Sequence, residues 1–317
     1  MRFYHATYQV SKSPREGLTM HYDVIIIGGS FAGLSAAMQL ARARRRVLLV
    51  DAAKPRNRYA AHAHGFLGQD GVPPHEIVAT ARAQLARYPT VAFLDGEAVQ
   101  AQPQDGGFGI VMADGKQVRG ARLILATGLC DELPPLPGLE ERWGQTVLHC
   151  PYCHGYEVAG NPLGVLAAHP MSAHQAMMLP DWGPTTYFTQ DQFEPSPEDA
   201  QHLAARGVHI ERTPVVALLG AAPALDGVVL ADGREVPLRA LFVASRAHMA
   251  SPLADQLGCA FDEGPLGPVI RVDELKQTTV PGVYAAGDAS TPMSNATLAS
   301  ASGVMAGVCA HRSLVMA

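Results

Sequence analysis

No apolar run in this 317-residue chain approaches the roughly eighteen residues that a membrane span needs. The first twenty residues also lack the apolar stretch of a secretion signal. Met20 precedes the first strand-like run, and residues 1–19 read as a leader, a tag remnant or a disordered N-terminal tail. Long basic runs are missing too, and the formal net charge is −5. Arg42 and Arg44-Arg45-Arg46 form the densest cluster, and they read as a solvated helix end before a strand rather than a nucleic-acid patch. Cysteine is scarce: five residues, an odd number in a chain that is 48% apolar, argue against a disulfide scaffold. Only Cys150 and Cys153 have motif spacing. Cys130, Cys259 and Cys309 read as ordinary thiols of a cytoplasmic protein.

What is present suffices for about two domains, at roughly 100–200 residues each. Val24 to Ile27 is a continuous apolar run of strand length, followed by a glycine-bearing turn at 28–33. Leu34, Ala37, Met38 and Ala41 then recur at helical spacing over 34–45, and Val47 to Val50 is the next buried strand, ended by Asp51. This is a βαβ unit. Residues 97–127 are short runs broken by Asp-Gly turns, the pattern of a β-meander. Residues 110–127 (IVMADGKQVRGARLILAT) align without a gap on 228–245 (VVLADGREVPLRALFVAS), with seven identities in eighteen positions. Each copy follows a strand–turn–helix pattern, so the chain reads as two versions of one dinucleotide-binding fold. The run 280–288 reads as a strand ending in Gly-Asp, and 295–310 as a small-residue helix returning to the first domain.

The turn at 28–33 reads G-G-S-F-A-G, with Ser30 where the fingerprint G-x-G-x-x-G has its second glycine. Gly28 permits the tight turn, Gly33 allows close helix–strand packing, and the helix N-terminus faces a pyrophosphate. Asp51 is placed to bind a ribose hydroxyl.

With A-T-G at 126–128, C-P-Y-C at 150–153 and V-P-G-V-Y-A-A-G-D at 280–288, the chain resembles the pyridine nucleotide–disulfide oxidoreductases, in particular the low-molecular-weight thioredoxin reductases. The resemblance spans residues 22–312. It implies an α/β fold of two Rossmann-like, FAD/NAD(P)-binding three-layer domains, the second inserted into the first. Residues 20–131 and 248–317 would form the FAD-binding domain, and 132–247 an NADPH-domain-like module carrying the C-x-x-C. Implied FAD contacts are Gly28, Gly29, Ser30, Phe31, Ala32, Gly33, Asp51, Ala52, Arg56, Asn57, Gly65, Ala126, Thr127, Gly128, Gly287, Asp288, Asn295, Ala296 and Thr297. The family often has Arg-Gln where this chain has Asn295-Ala296.

Two thiols three residues apart close a small disulfide ring, and a helix opening on the pair lowers a thiol pKa through its dipole. Half of a zinc site is the competing reading. His149 and His154 flank the pair, but adjacent residues rarely reach one metal, and no second C-x-x-C exists; redox chemistry is expected and no metal. By resemblance Cys153 faces the flavin and Cys150 exchanges with substrate. His154 stands where ordinary thioredoxin reductases place an acid–base aspartate. The C-x-x-C-H-G-Y pattern is similar to the dithiol oxidases of the gliotoxin and holomycin pathways. His62 and His64, in A-H-A-H-G-F, read equally as flavin contacts or as plain loop residues.

The second nucleotide site departs from the pattern. After the strand Leu163–Ala167 the chain reads A-H-P-M-S-A at 168–173, with Ala168 and Pro170 at the two leading glycine positions. Proline removes an N–H and fixes φ. After the strand Thr185–Thr189 no arginine follows, and from Trp143 to Ala205 there is no lysine or arginine at all. Six acids lie there, which a phosphate would meet without counter-charge; Arg246 is the competing source of one. The expected function is oxidation of a dithiol through Cys150, Cys153 and FAD, with oxygen or another acceptor. The alternatives are a thioredoxin reductase fed by NADPH or reduced ferredoxin, and a non-catalytic flavin redox sensor. Expected partners are a small-molecule dithiol or a thioredoxin-like protein, and the resemblance implies a homodimer.

Overall fold

The structure, a computed structural model, describes residues 21–316, so the expectation for residues 1–19 lies outside the described residues. Strand β1 (His21–Ile27) is followed by α1 (Phe31–Arg42), β2 (Val47–Asp51), α2 (Pro74–Leu85) and β3 (Val91–Asp95). The meander β4 (Ala98–Gln104), β5 (Gly107–Met112) and β6 (Gln117–Leu125) comes next. Helix α1 begins at Phe31 and stops at Arg42, short of the expected end at 45, because Arg44 takes a left-handed φ of 60°. Strands β3, β2, β1 and β6 lie side by side in parallel, and β5 and β4 continue antiparallel from β6. Ile25 and Ile27 enter the core on one face, and Val24 and Ile26 the core on the other, as strand alternation requires. A run buried on both faces must be apolar throughout.

A connector strand β7 (Leu129–Glu132) leads to β8 (Val147–Leu148), the single turn α3 (Pro151–His154), β9 (Leu163–Leu166), α4 (Ser172–Met178), β10 (Thr185–Phe188), α5 (Pro197–Ala205) and β11 (His209–Glu211). Then come β12 (Val215–Leu219), β13 (Gly227–Leu230), β14 (Glu235–Pro237) and β15 (Ala240–Val243). The second sheet has the order β11-β10-β9-β15-β8, all parallel, and β12-β13-β14 form a separate antiparallel ribbon. The topology of the first unit therefore recurs. The repeated segments occupy matching places, with one difference: β6 runs unbroken through Gly120-Ala121, whereas β14 and β15 part at Leu238-Arg239.

Strand β16 (Arg246–Met249) pairs antiparallel with β7, and α6 (Leu253–Gln256), β17 (Phe261–Gly264) and β18 (Gly267–Ile270) follow. Strand β19 (Val283–Ala285) then returns to lie beside β6, and α7 (Ala296–Val315) packs along α1. The expected strand over 280–288 is only three residues long, since Gly287, at φ 73°, turns the chain into a 3-10 segment at Gly287–Ser290. The small residues of α7 have a steric reason. A Cβ on Gly303 would sit 2.0 Å from the Ala32 carbonyl oxygen, and one on Gly307 2.7 Å from that of Ala36. Close helix approach thus fixes where α1 starts, and with it the glycine turn. No helix among the described residues is long and apolar enough to cross a membrane.

Candidate active site

The turn after β1 is built around absent side chains. Gly28 has φ 112°, and a Cβ there would lie 2.1 Å from the Ala126 carbonyl oxygen. A Cβ on Gly29 would strike the Asp51 carboxyl at 2.5 Å, and one on Gly33 would lie 1.8 Å from the Gly28 oxygen. Asp51 Oδ1 accepts hydrogen bonds from the Gly29 N–H (3.3 Å) and the Ala53 N–H (3.1 Å). Ser30 caps α1 without a side-chain hydrogen bond, so the first-turn N–H groups are left for a ligand. This uncapped turn, with a carboxylate at the end of the next strand, is the donor set that a dinucleotide pyrophosphate and ribose fit.

From Ser30, Phe31 and Ala32 an open cleft of about 1390 Å³ empty volume runs past Arg56, Asn57 and Ala126–Gly128 to the cysteine pair. Gly287, Asp288, Asn295 and Ala296 line its other wall, and Cys150, Cys153 and His154 close its end. Gly28, Gly29, Gly33, Asp51, Ala52, Gly65 and Thr297 are outside its walls. Asn295 caps α7 itself: its Oδ1 accepts from the Thr297 N–H at 2.8 Å and the Leu298 N–H at 3.3 Å. Those two donors are therefore spent within the helix.

Cys150 and Cys153 form a disulfide with Cα atoms 5.3 Å apart. The helix they open, Pro151–His154, is one turn long. Two imidazoles, His149 and His154, flank the pair. Burial lowers the His154 pKa below its ordinary value; the nearby Glu157 opposes this and His64 adds to it. His149 is likewise held low by burial and by the Arg56 charge, while its Nδ1 lies 3.3 Å from the Val243 carbonyl oxygen.

A buried ion network stiffens the cleft, and the sequence offered no signal for most of it. Arg56 donates to both oxygens of Asp131 (2.8 and 2.5 Å), to Asp288 Oδ2 at 3.1 Å and to Ser294 Oγ at 2.6 Å. Ser245 adds a hydrogen bond to Asp131 at 2.9 Å. Burial works against the Asp131 charge, but Arg56 overrides it and holds the carboxyl below the usual range. Asp131 lies 75 residues from Arg56 and Asp288 lies 232 away, so no local pattern could pair them.

The matching turn after β9 is closed. Ser172 Oγ accepts from the Ala168 N–H at 3.2 Å and the His169 N–H at 3.3 Å, and His169 Nδ1 accepts from the Met171 N–H at 3.2 Å. Pro170 has no N–H to offer. Arg212 pairs with Glu194, Arg206 with Asp181, and Arg234 with Glu211 and Asp232, whereas Arg246, whose charge reaches His169 of this turn, has no ion-pair partner among the described residues.

Two dinucleotide-type sheets with a dithiol at the end of the first one's cleft define a disulfide oxidoreductase of the thioredoxin reductase type. The family described as pyridine nucleotide-disulphide oxidoreductase matches residues 22–177 and 188–303, and the chain belongs to it: it is an oxidoreductase acting on sulfur groups. A thioredoxin reductase of Claviceps purpurea, tcpT, is 32% identical over 92% of this chain and 94% of its own length. The crystal structure of an oxidoreductase from Agrobacterium tumefaciens is 50% identical, with a TM-score of 0.89 over 94% of this chain and 99% of that one. The structure of HlmI is 37% identical, with a TM-score of 0.88 over 95% of each chain.

Proposed function

We propose that the chain is an FAD-dependent oxidase that turns a dithiol into a disulfide. One observation carries the reading: the turn after β9 spends its N–H groups on Ser172 and His169, while after β1 no side chain caps the first-turn N–H groups of α1. In this reading residues 20–131 and 248–317 hold FAD, and 132–247 is an inserted module that presents the dithiol without binding NADPH. Gly28 to Gly33 and Asp51 would hold the adenosine half, and Arg56, Asn57, Asp288, Asn295 and Ala296 the flavin half.

A substrate thiol gives its proton to His154, which burial keeps ready as a neutral base. The thiolate attacks Cys150 Sγ, a mixed disulfide forms, and the Cys150–Cys153 bond breaks with its electron pair left on Cys153. The second substrate thiolate attacks its own sulfur bound to Cys150, closing the product disulfide and freeing Cys150. FAD, when bound, would supply the two-electron acceptor: the pair would leave Cys153 as the Cys150–Cys153 disulfide re-forms, and pass on to dioxygen or another acceptor.

The test is anaerobic bleaching of the purified flavoprotein. A small dithiol such as dithiothreitol bleaches it rapidly and NADPH does not; rapid bleaching by NADPH sinks the reading. Cys150→Ser abolishes bleaching by the dithiol. A second reading, electron delivery to a thioredoxin, is favoured by the name of the Claviceps relative. A thioredoxin-coupled assay with NADPH or reduced ferredoxin separates the two.

A further inference from the structure

Two histidines far apart in sequence meet near the dithiol. His154 ends the turn that the cysteines open, and His64 arrives on the loop between Ala60 and Pro73. That loop is closed on itself. The Ala63 N–H donates to the Val72 oxygen, the Gly65 N–H to Asp70 Oδ1, and the Phe66 ring meets the edge of Phe31 at 5.7 Å. His64 Nε2 lies 3.5 Å from Glu157 Oε1, and its Nδ1 lies 3.6 Å from Asp70 Oδ1. Glu157 follows His154 by three residues and favours its protonated form, while His64 and burial disfavour it. His62, with its ring 6.2 Å from that of His64, is the remaining ionisable neighbour of His64. Glu157, at 40% side-chain exposure, already meets solvent, while His64 is 21% exposed and Asp70 70%.

We propose that Glu157, held in place by His64, is the proton outlet of the dithiol site, passing to solvent the proton that His154 takes from a substrate thiol. The proposal rests on the dithiol-oxidase reading. Each substrate dithiol loses two electrons and two protons. With FAD bound, the electrons would pass from Cys153 to dioxygen, which would take two protons from solvent to become hydrogen peroxide. The thiol protons must leave the cleft separately, and a His154 that stays protonated cannot accept the second one. Glu157 and His64 act through His154, so they are positioning residues.

Two measurements on the full flavin-loaded protein test this. One is the pH profile of anaerobic bleaching by dithiothreitol. The other is an NMR titration of His154 in protein carrying labelled histidine, which needs no turnover. Glu157→Gln slows bleaching about tenfold and moves the His154 transition to lower pH. His64→Gln also slows bleaching but moves the transition to higher pH, because it removes a positive neighbour. Glu157→Asp restores most of the rate. Wild-type profiles in both variants, or shifts of the same sign, overturn the proposal. If Glu157→Gln does not fold, His64→Gln and Glu157→Asp carry the test, and an unmoved transition in His64→Gln overturns it. If dithiothreitol fails to bleach the wild-type protein, the oxidase reading fails. The titration then still reports whether Glu157 and His64 govern His154.

Discussion

The turns after β1 and β9 occupy the same place in two copies of one topology, and they have opposite chemistry. The first is kept open by missing atoms: glycine where a Cβ would strike Ala126 or Asp51, and a serine cap whose side chain makes no bond to its own helix. The second is filled by atoms that satisfy it from within: a serine hydroxyl, an imidazole and a proline. A fold alone therefore does not make a nucleotide site. The donors must also be left without a partner inside the protein.

The comparison breaks most readily at Gly28. Gly28→Ala puts a side chain at φ 112° and 2.1 Å from a carbonyl oxygen. Flavin content falls at least about tenfold, some 1.4 kcal/mol, whereas Ala168→Gly in the second turn leaves it unchanged; absorbance per protein reads both. Next is the support behind the first turn. Gly303→Ala forces α7 away from Ala32 and costs about 1–3 kcal/mol, measured as a lower urea midpoint. Ser172→Ala strips the second turn of its acceptor. It costs about 1 kcal/mol and leaves two N–H groups free, so the second turn comes to resemble the first.

The smallest effect is one of pH, in the second unit, where Arg234 is engaged. Burial raises the Glu211 pKa, but Arg234 and the Thr213 N–H outweigh it and bring it down to about 2. A depressed carboxylate stabilises the fold above its unfolded pKa and loses that contribution as pH falls through the folded value. Wild-type protein therefore loses stability between its ordinary value of 4.5 and about 2. Glu211→Gln flattens that loss, as urea midpoints at about pH 5 and pH 3 reveal.

Much of the molecule was legible because it is written in neighbouring residues. The apolar run of β1, the glycine turn, the dithiol spacing and the Asp-Gly hairpins are local patterns, enforced by strand and helix periodicity and by steric limits on φ. The repeat at 110–127 and 228–245 was legible for the same reason, and both copies occupy matching strands. Helix ends were less so: α1 stops at Arg42 because of one left-handed residue, and the 280–288 strand is cut by Gly287. His154 was readable beside its cysteine, but Glu157 was counted only among the acids of its segment. Its spacing of three from His154 was the available signal.

The sequence by itself determined the α/β class, the place of the first nucleotide turn and the presence of a redox pair. The tertiary structure alone decided that Arg56 binds Asp131 and Asp288, that β19 and β8 complete sheets begun elsewhere in the chain, and that His64 faces Glu157. The reason is range. Local patterns depend on bond geometry between adjacent residues. A contact across 75 or 232 residues depends on how the whole chain closes, and no periodicity records that.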